Sequence, residues 1–173
     1  MQFDFRSDQV CCFTGHRRIP DAEAVRLWGE LLDKIRVLHL KRGYNVFLCG
    51  GAIGFDQLSA EAVLTLREQY PAIKLYLLLP FPGYDEKWTE RERLERNTLM
   101  KHADGFLYAA DAYFPGVYYK RDRMLVNLSS VIIAYLKKTR GGAYYTASFA
   151  YDSGLEIINL AKGDPAVYNE RGK

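Results

Sequence analysis

Val46-Phe47-Leu48-Cys49-Gly50-Gly51-Ala52-Ile53-Gly54-Phe55-Asp56 is the stretch that decides the fold. An apolar run stops at two glycines, a third glycine and an aspartate follow, and helical spacing then begins. This order predicts a strand, a tight turn and a helix N-terminus. Such a turn offers backbone N–H groups and the positive end of a helix dipole to an anion. Glycine suits it, because a side chain there would block a phosphate or force a strained φ. The ligand it suggests is a nucleotide or another phosphorylated molecule. Asp56 has two roles open to it, the N-cap of the helix or a hydrogen-bond partner of a ribose or base. The turn is not a P-loop, since no Gly-Lys-Ser/Thr closes it. Nor is it the dinucleotide fingerprint, since Gly50 and Ala52 miss the G-x-G spacing and the turn follows the second strand instead of the first.

Working outward, Val10–Phe13 reads as strand one and Thr14-Gly15-His16-Arg17-Arg18 as the loop after it. Asp21 is placed to cap a helix over 22–41, in which Val25, Trp28, Leu32 and Ile35 recur at helical spacing, and Gly43 stops it. Asn45–Cys49 is strand two, 56–70 the helix after the glycine turn, and Ile73–Leu79 strand three. Strand three is almost wholly apolar, as in a strand covered on both faces. Pro80-Phe81-Pro82-Gly83-Tyr84 is a rigid aromatic loop, and Glu86–His102 a charged, solvated helix with Glu92–Arg96 and Arg91–Glu95 pairs. Strand four (Gly105–Ala109), a helix over Tyr119–Asn127, strand five (Ser130–Leu136), a helix over Ala143–Tyr151 and a last strand (Glu156–Leu160) complete the order. The tail beyond Lys162 is polar and expected to fray. Strands alternating with helices give an α/β fold, a three-layer Rossmann-like arrangement with a mostly parallel sheet and right-handed crossovers.

The 173 residues fit one domain, expected to span 1–173 with its core over 8–160. A net charge of +3 is too small to imply nucleic acid by itself. Most of the 13 Tyr, 9 Phe and 2 Trp are expected in the core, with some left for a pocket or interface. Cys11, Cys12 and Cys49 all fall in predicted buried strands, and the adjacent pair should face opposite sides of the sheet. An odd count without framework spacing points to reduced thiols and a cytoplasmic setting. Asp4, Arg6 and Asp8 near the start do not read as a signal peptide. No apolar run reaches the roughly 18 residues of a membrane span.

Ligands of open α/β sheets bind beyond the carboxyl ends of the strands. Four suggestive loops are expected there: Thr14–Arg17, Gly50–Asp56, Pro80–Tyr84 and Gly141-Gly142. In the first, Thr14, Gly15, His16 and Arg17 form a unit. Arg17 has the fork that suits a phosphate, and His16 suits an anion or proton transfer. In the second, Gly50, Gly51, Ala52, Gly54 and Asp56 form the cradle. Pro80 and Phe81 contribute from the third. Gly141 and Gly142 are either a plain turn or a second phosphate cradle, with Tyr144, Tyr145 and Thr146 after them for a base or sugar. Arg121, Arg123 and Asn127 precede strand five, either solvated or reaching toward the same edge. His16, His39 and His102 are scattered, so no metal site is expected.

Thr14-Gly15-His16-Arg17, Gly50–Asp56, Pro80-Phe81, and Gly141-Gly142 with a following Tyr resemble the YpsA-like branch of the SLOG superfamily. That superfamily includes the DNA-processing protein DprA and the LOG phosphoribohydrolases. The resemblance covers residues 8–160. It implies a Rossmann-like fold that binds a nucleotide or nucleotide-derived ligand, with NAD or an ADP-ribose-like molecule among the options, and it supplies no reaction. Two departures stand out. Arg121-Asp122 replaces the family's Arg-Asn, and Gly141-Gly142-Ala143 replaces Gly-Gly-Thr. In the LOG motif the glutamate position falls at Ser148 and Arg140 replaces the proline, so that catalytic carboxylate is missing at the matching place.

Three functions follow in order of support. The first is a sensory or regulatory nucleotide binder. The second is a hydrolase of an N-glycosidic or phosphate bond, in which His16, Asp56 or Glu61 would supply acid–base chemistry. The third is a DprA-like binder of single-stranded DNA. The expected partner is a small nucleotide ligand, with no membrane and with nucleic acid disfavoured. The aromatic stretch Tyr113–Tyr119 serves as an oligomer surface, a lid or core packing.

Overall fold

The computed structural model describes residues 3 and 5–162. The fraying expected beyond Lys162 lies outside them. Six strands form one parallel sheet: β1 (Val10–Gly15), β2 (Val46–Cys49), β3 (Lys74–Leu79), β4 (Gly105–Tyr108), β5 (Val131–Tyr135) and β6 (Glu156–Asn159). Their spatial order is β4-β3-β2-β1-β5-β6, and every neighbouring pair is parallel. The chain therefore builds outward from β1 through β2, β3 and β4, then returns to the other side of β1 to lay down β5 and β6. The crevice between the carboxyl ends of β1 and β5 is the place where the winding reverses, and such reversals are where open sheets hold ligands.

The side-chain period of two sorts each strand between two cores. Cys11, Phe13, Phe47, Leu75 and Leu77 face one side, with α1 (Asp21–Arg42), α2 (Phe55–Gln69) and Leu99 of α3 (Glu90–His102). Val10, Cys12, Leu48, Leu78 and Ile132 face the other, with α4 (Val117–Asn127) and α5 (Gly142–Asp152). Cys11 and Cys12 thus point to opposite faces, as their adjacency predicts, and all three thiols are free and buried. β5 is buried along its whole length, in keeping with a strand covered on both faces.

Three local expectations are corrected. α1 starts at Asp21, after Pro20, with no side-chain cap, so Asp21 lies in the first turn, where its charge suits the dipole. The charged helix begins at Glu90, not Glu86, because Thr89 and Glu92 form a capping box there. Glu92 is committed to that box, so it does not pair with Arg96, which instead bonds Asp85. The Arg91–Glu95 pair does form, at 3.0 Å on an exposed face. Gly43 closes α1 with φ 73°, as expected of a C-terminal glycine.

Candidate functional site

A cavity of about 360 Å³ opens over the carboxyl ends of β1 and β5. The loop after β1 supplies Thr14, Gly15, His16 and Arg17, and α5 supplies Gly141, Gly142, Ala143 and Thr146. Ala52 and Asp56 enter from the β2–α2 turn, and Tyr118, Arg121 and Asp122 from α4. The sheet order explains this meeting: β1 and β5 are neighbours, with Gly15 opposite Tyr135 as their last paired rung.

The two glycine turns behave differently at this cavity. A Cβ on Gly54 would lie 2.2 Å from the Arg17 carbonyl oxygen, and one on Gly51 2.3 Å from Leu79. At Gly50 it would meet Arg121 Nη1 at 2.9 Å and Asp56 Oδ2 at 3.0 Å. These glycines are filled around by protein, and none of the three lines the cavity. The donors of the turn are also taken. Ala52 N–H donates to Asp56 Oδ2 at 3.1 Å, and Phe55 N–H to the His16 carbonyl at 3.2 Å. The anion at the start of α2 is thus the chain's own Asp56. That residue lies inside the helix, whose N-cap is Gly54, so it is not the N-cap. The turn buttresses the Thr14–Arg17 loop.

At Gly141 and Gly142 a Cβ would meet nothing within 4 Å. No side chain of the described residues caps α5, and Gly141, Gly142 and Ala143 at its start line the cavity. Of the two candidate cradles, this is the open one.

Charge in the cavity is nearly balanced. Arg121 is buried and spends its N–H groups inward, on the Gly50 carbonyl and on Asp122 Oδ1 at 2.7 Å. It ties α4 to the β2–α2 turn, which is why it is neither solvated nor a free phosphate ligand. Asp122 is partnered by Arg121. Burial pushes the Asp56 carboxyl up to about 6, with Arg121 pulling the other way. His16 Nε2 accepts the Lys137 backbone N–H at 2.8 Å, so the neutral ring carries its proton on Nδ1. Burial, with Lys138 and Lys137 nearby, lowers the His16 pKa and keeps it neutral.

The remaining predicted residues lie outside the cavity. Phe81 packs edge-on against Tyr84, Tyr113 and Tyr118, so it backs Tyr118 instead of meeting a ligand. The Pro80 carbonyl accepts from Ala110 N–H. Asn127 is exposed at the C-terminal end of α4, away from the carboxyl edge of the sheet. Tyr145 turns to Tyr119, with ring centroids 4.4 Å apart, and accepts from Arg123. Glu61 faces a separate groove with Trp28, Leu94 and Glu95, so it cannot act with His16. Tyr118, Asp122 and Arg140 line the cavity without having been selected from the sequence. Only the crossover order β1-β5 could have signalled them. Among the described residues no cluster of His, Cys, Asp and Glu could hold a metal ion, and no helix is long and apolar enough to cross a membrane.

The model of the YspA SLOG family matches residues 20–153. A UPF0398 protein of Staphylococcus haemolyticus is 33% identical over 84 residues, which is 49% of this chain and 45% of that protein. One of Lactiplantibacillus plantarum is 27% identical over 90 residues, 46% of this chain and 48% of that protein. The matched region thus spans about half the length of these relatives. Among solved structures, DNA processing protein A of Streptococcus pneumoniae superposes with a TM-score of 0.65 at 14% identity, covering 94% of this chain and 54% of that one. The Helicobacter pylori protein, described for its single-stranded DNA binding mode, gives 0.62 at 19% identity, covering 95% and 71%. Both likenesses are of fold. With the parallel Rossmann-like sheet and a family match over most of its length, the chain belongs to the YspA SLOG family.

Proposed function

We propose that the chain binds a nucleotide or nucleotide derivative in the cavity over β1 and β5, in a sensory or regulatory role. A phosphate sits at the N-terminus of α5, against Gly141, Gly142 and Ala143 and within reach of Arg17. Asp56 and Asp122 take the sugar hydroxyls, and Tyr118 at the rim takes the base. The observation that carries this reading is the open, uncapped start of α5 inside a cavity at the winding reversal. The N–H groups of Gly142 and Ala143 and the helix dipole favour an anion, and a volume of about 360 Å³ is in the range of small-ligand sites. Ser148, at the LOG glutamate position, is buried in α5 and does not line the cavity, which favours binding over that hydrolysis. Three buried free thiols suit the cytoplasm, where such ligands are found.

The test is isothermal titration of the whole chain with AMP, NAD and ADP-ribose, alongside thermal unfolding. Binding to the folded state raises Tm, and the rise grows with the logarithm of ligand concentration above Kd. Heat and a Tm rise with at least one of the three are expected. Silence with all of them would refute the reading.

A second reading, single-stranded DNA, draws on the exposed Tyr113, Phe114 and Tyr119 beside the cavity, since exposed aromatic rings stack bases. It predicts an affinity for oligonucleotides that falls steeply with salt. A flat salt response counts against it.

A further inference from the structure

A second cavity of about 380 Å³ adjoins the first and shares His16 and Arg17 with it. Its other lining residues are Arg18, Pro20, Tyr135, Lys137 and Lys138. Four of these seven side chains are cations and none is a carboxylate. The first cavity, by contrast, sets Asp56 and Asp122 against its arginines.

The second cavity's cations are of two kinds. Lys137 is committed: its ammonium bonds Glu23 Oε2 at 2.6 Å, and that carboxylate also accepts from the Tyr135 hydroxyl. This clamp fixes the strand end that forms the floor. Arg17, Arg18 and Lys138 make no hydrogen bond or ion pair with a described residue. Elsewhere the chain neutralises many arginines locally, Arg26 with Glu23 and Glu30, Arg42 with Glu156, Arg67 with Asp104 and Arg96 with Asp85. Three unpaired cations around one concavity repel each other and gain most from a multivalent anion. His16 stands between the cavities with its Nε2 occupied by the Lys137 backbone, which leaves its Nδ1 proton to donate at the boundary.

We propose that this second cavity is an anion subsite, so that the full site takes a nucleotide with two separate phosphate groups, of the 5′-phosphorylated dinucleotide class. One phosphate lies at the start of α5 and the other among Arg17, Arg18 and Lys138, with the linking sugar passing His16. This rests on the nucleotide reading above and goes further by requiring two anionic groups set apart, not merely more charge.

The experiment compares AMP, ADP and the dinucleotide pApA by titration of the intact chain, wild type and the double variant R18A/K138A. Arg18 and Lys138 are both exposed and pair with no described residue, so the variant should fold normally. The expected result is pApA binding about tenfold tighter than AMP or ADP, since a phosphate adds charge-assisted bonds. In the double variant that gain shrinks to about twofold or less, with AMP affinity unchanged. If AMP binds and pApA binds no tighter than ADP, or the double variant keeps the full gain, the subsite is overturned while the nucleotide reading stands. If AMP, ADP and pApA are all silent while NAD or ADP-ribose binds, the subsite is overturned and the nucleotide reading stands; silence of all five ligands refutes both. An eight-nucleotide strand that binds far tighter than pApA would also overturn the subsite, in favour of an open strand groove.

Discussion

Gly50-Gly51 and Gly141-Gly142 each follow a strand and precede a helix, yet they meet opposite surroundings. Around the first pair and Gly54, a Cβ would strike Arg121, Leu79 or the Arg17 backbone, and the N–H groups of Ala52 and Phe55 already have acceptors. Around the second pair there is open space and no side-chain cap. The same composition serves close packing in one turn and ligand access in the other. A helix start becomes a binding site only when the protein leaves its donors unspent.

The strongest way to break this contrast is Gly54→Ala. The residue holds φ 86°, and its new Cβ would meet backbone atoms that cannot move aside. A loss of more than about 4 kcal/mol is expected in urea unfolding, or no folded protein at all. A variant within about 1 kcal/mol of wild type would show that the turn is not packed as described. Next is Arg121→Met. It strips the partner from Asp122 and from the Gly50 carbonyl, both buried around it. About 3–5 kcal/mol of stability should be lost. A solvated arginine would give almost no change.

Asp56→Asn sharpens the claim that α2 carries its own anion. The folded carboxyl titrates at about 6 against an ordinary 3.8, because burial disfavours its charge. The folded state therefore holds this proton longer than the unfolded chain. Between about pH 4 and 6 the wild type should lose stability relative to the variant as pH rises, by on the order of 3 kcal/mol, with the difference level above that range. Urea midpoints of both proteins across pH 4–8 measure it. Parallel curves would mean that Asp56 is solvated.

The fold was largely legible because its signals are local and repeated. Apolar runs, helical spacings and a run of charge mark every strand and α-helix, and Cys11-Cys12 indicates a strand buried on both faces. Boundaries slipped where a polar residue had two uses. Glu92 reads equally as an ion-pair partner or as half of a capping box, and only the position of Thr89 decides. The site was legible in its loops but not in its contacts. Thr14–Arg17 and Gly141-Gly142 reach the cavity as expected. Arg121 reads from sequence, with Arg123, as a helix cation either solvated or reaching toward the sheet edge; its inward bonding to Gly50 depends on the β2–α2 turn and α4 meeting across 71 positions of chain. Phe81 and Tyr145 suit a ligand by residue type, while tertiary packing gives them aromatic partners.

The smallest effect on stability belongs to the variant that tests the central claim. Gly142→Asp places a carboxylate at the open start of α5, where a Cβ meets nothing and the helix dipole welcomes the charge. Stability should hold or rise by less than about 1 kcal/mol. Nucleotide affinity, measured by titration with the ligand that wild type binds, should fall by at least about a hundredfold, because the new carboxylate occupies the phosphate position. A folded variant that binds as tightly as wild type would contradict the account and move the phosphate away from α5.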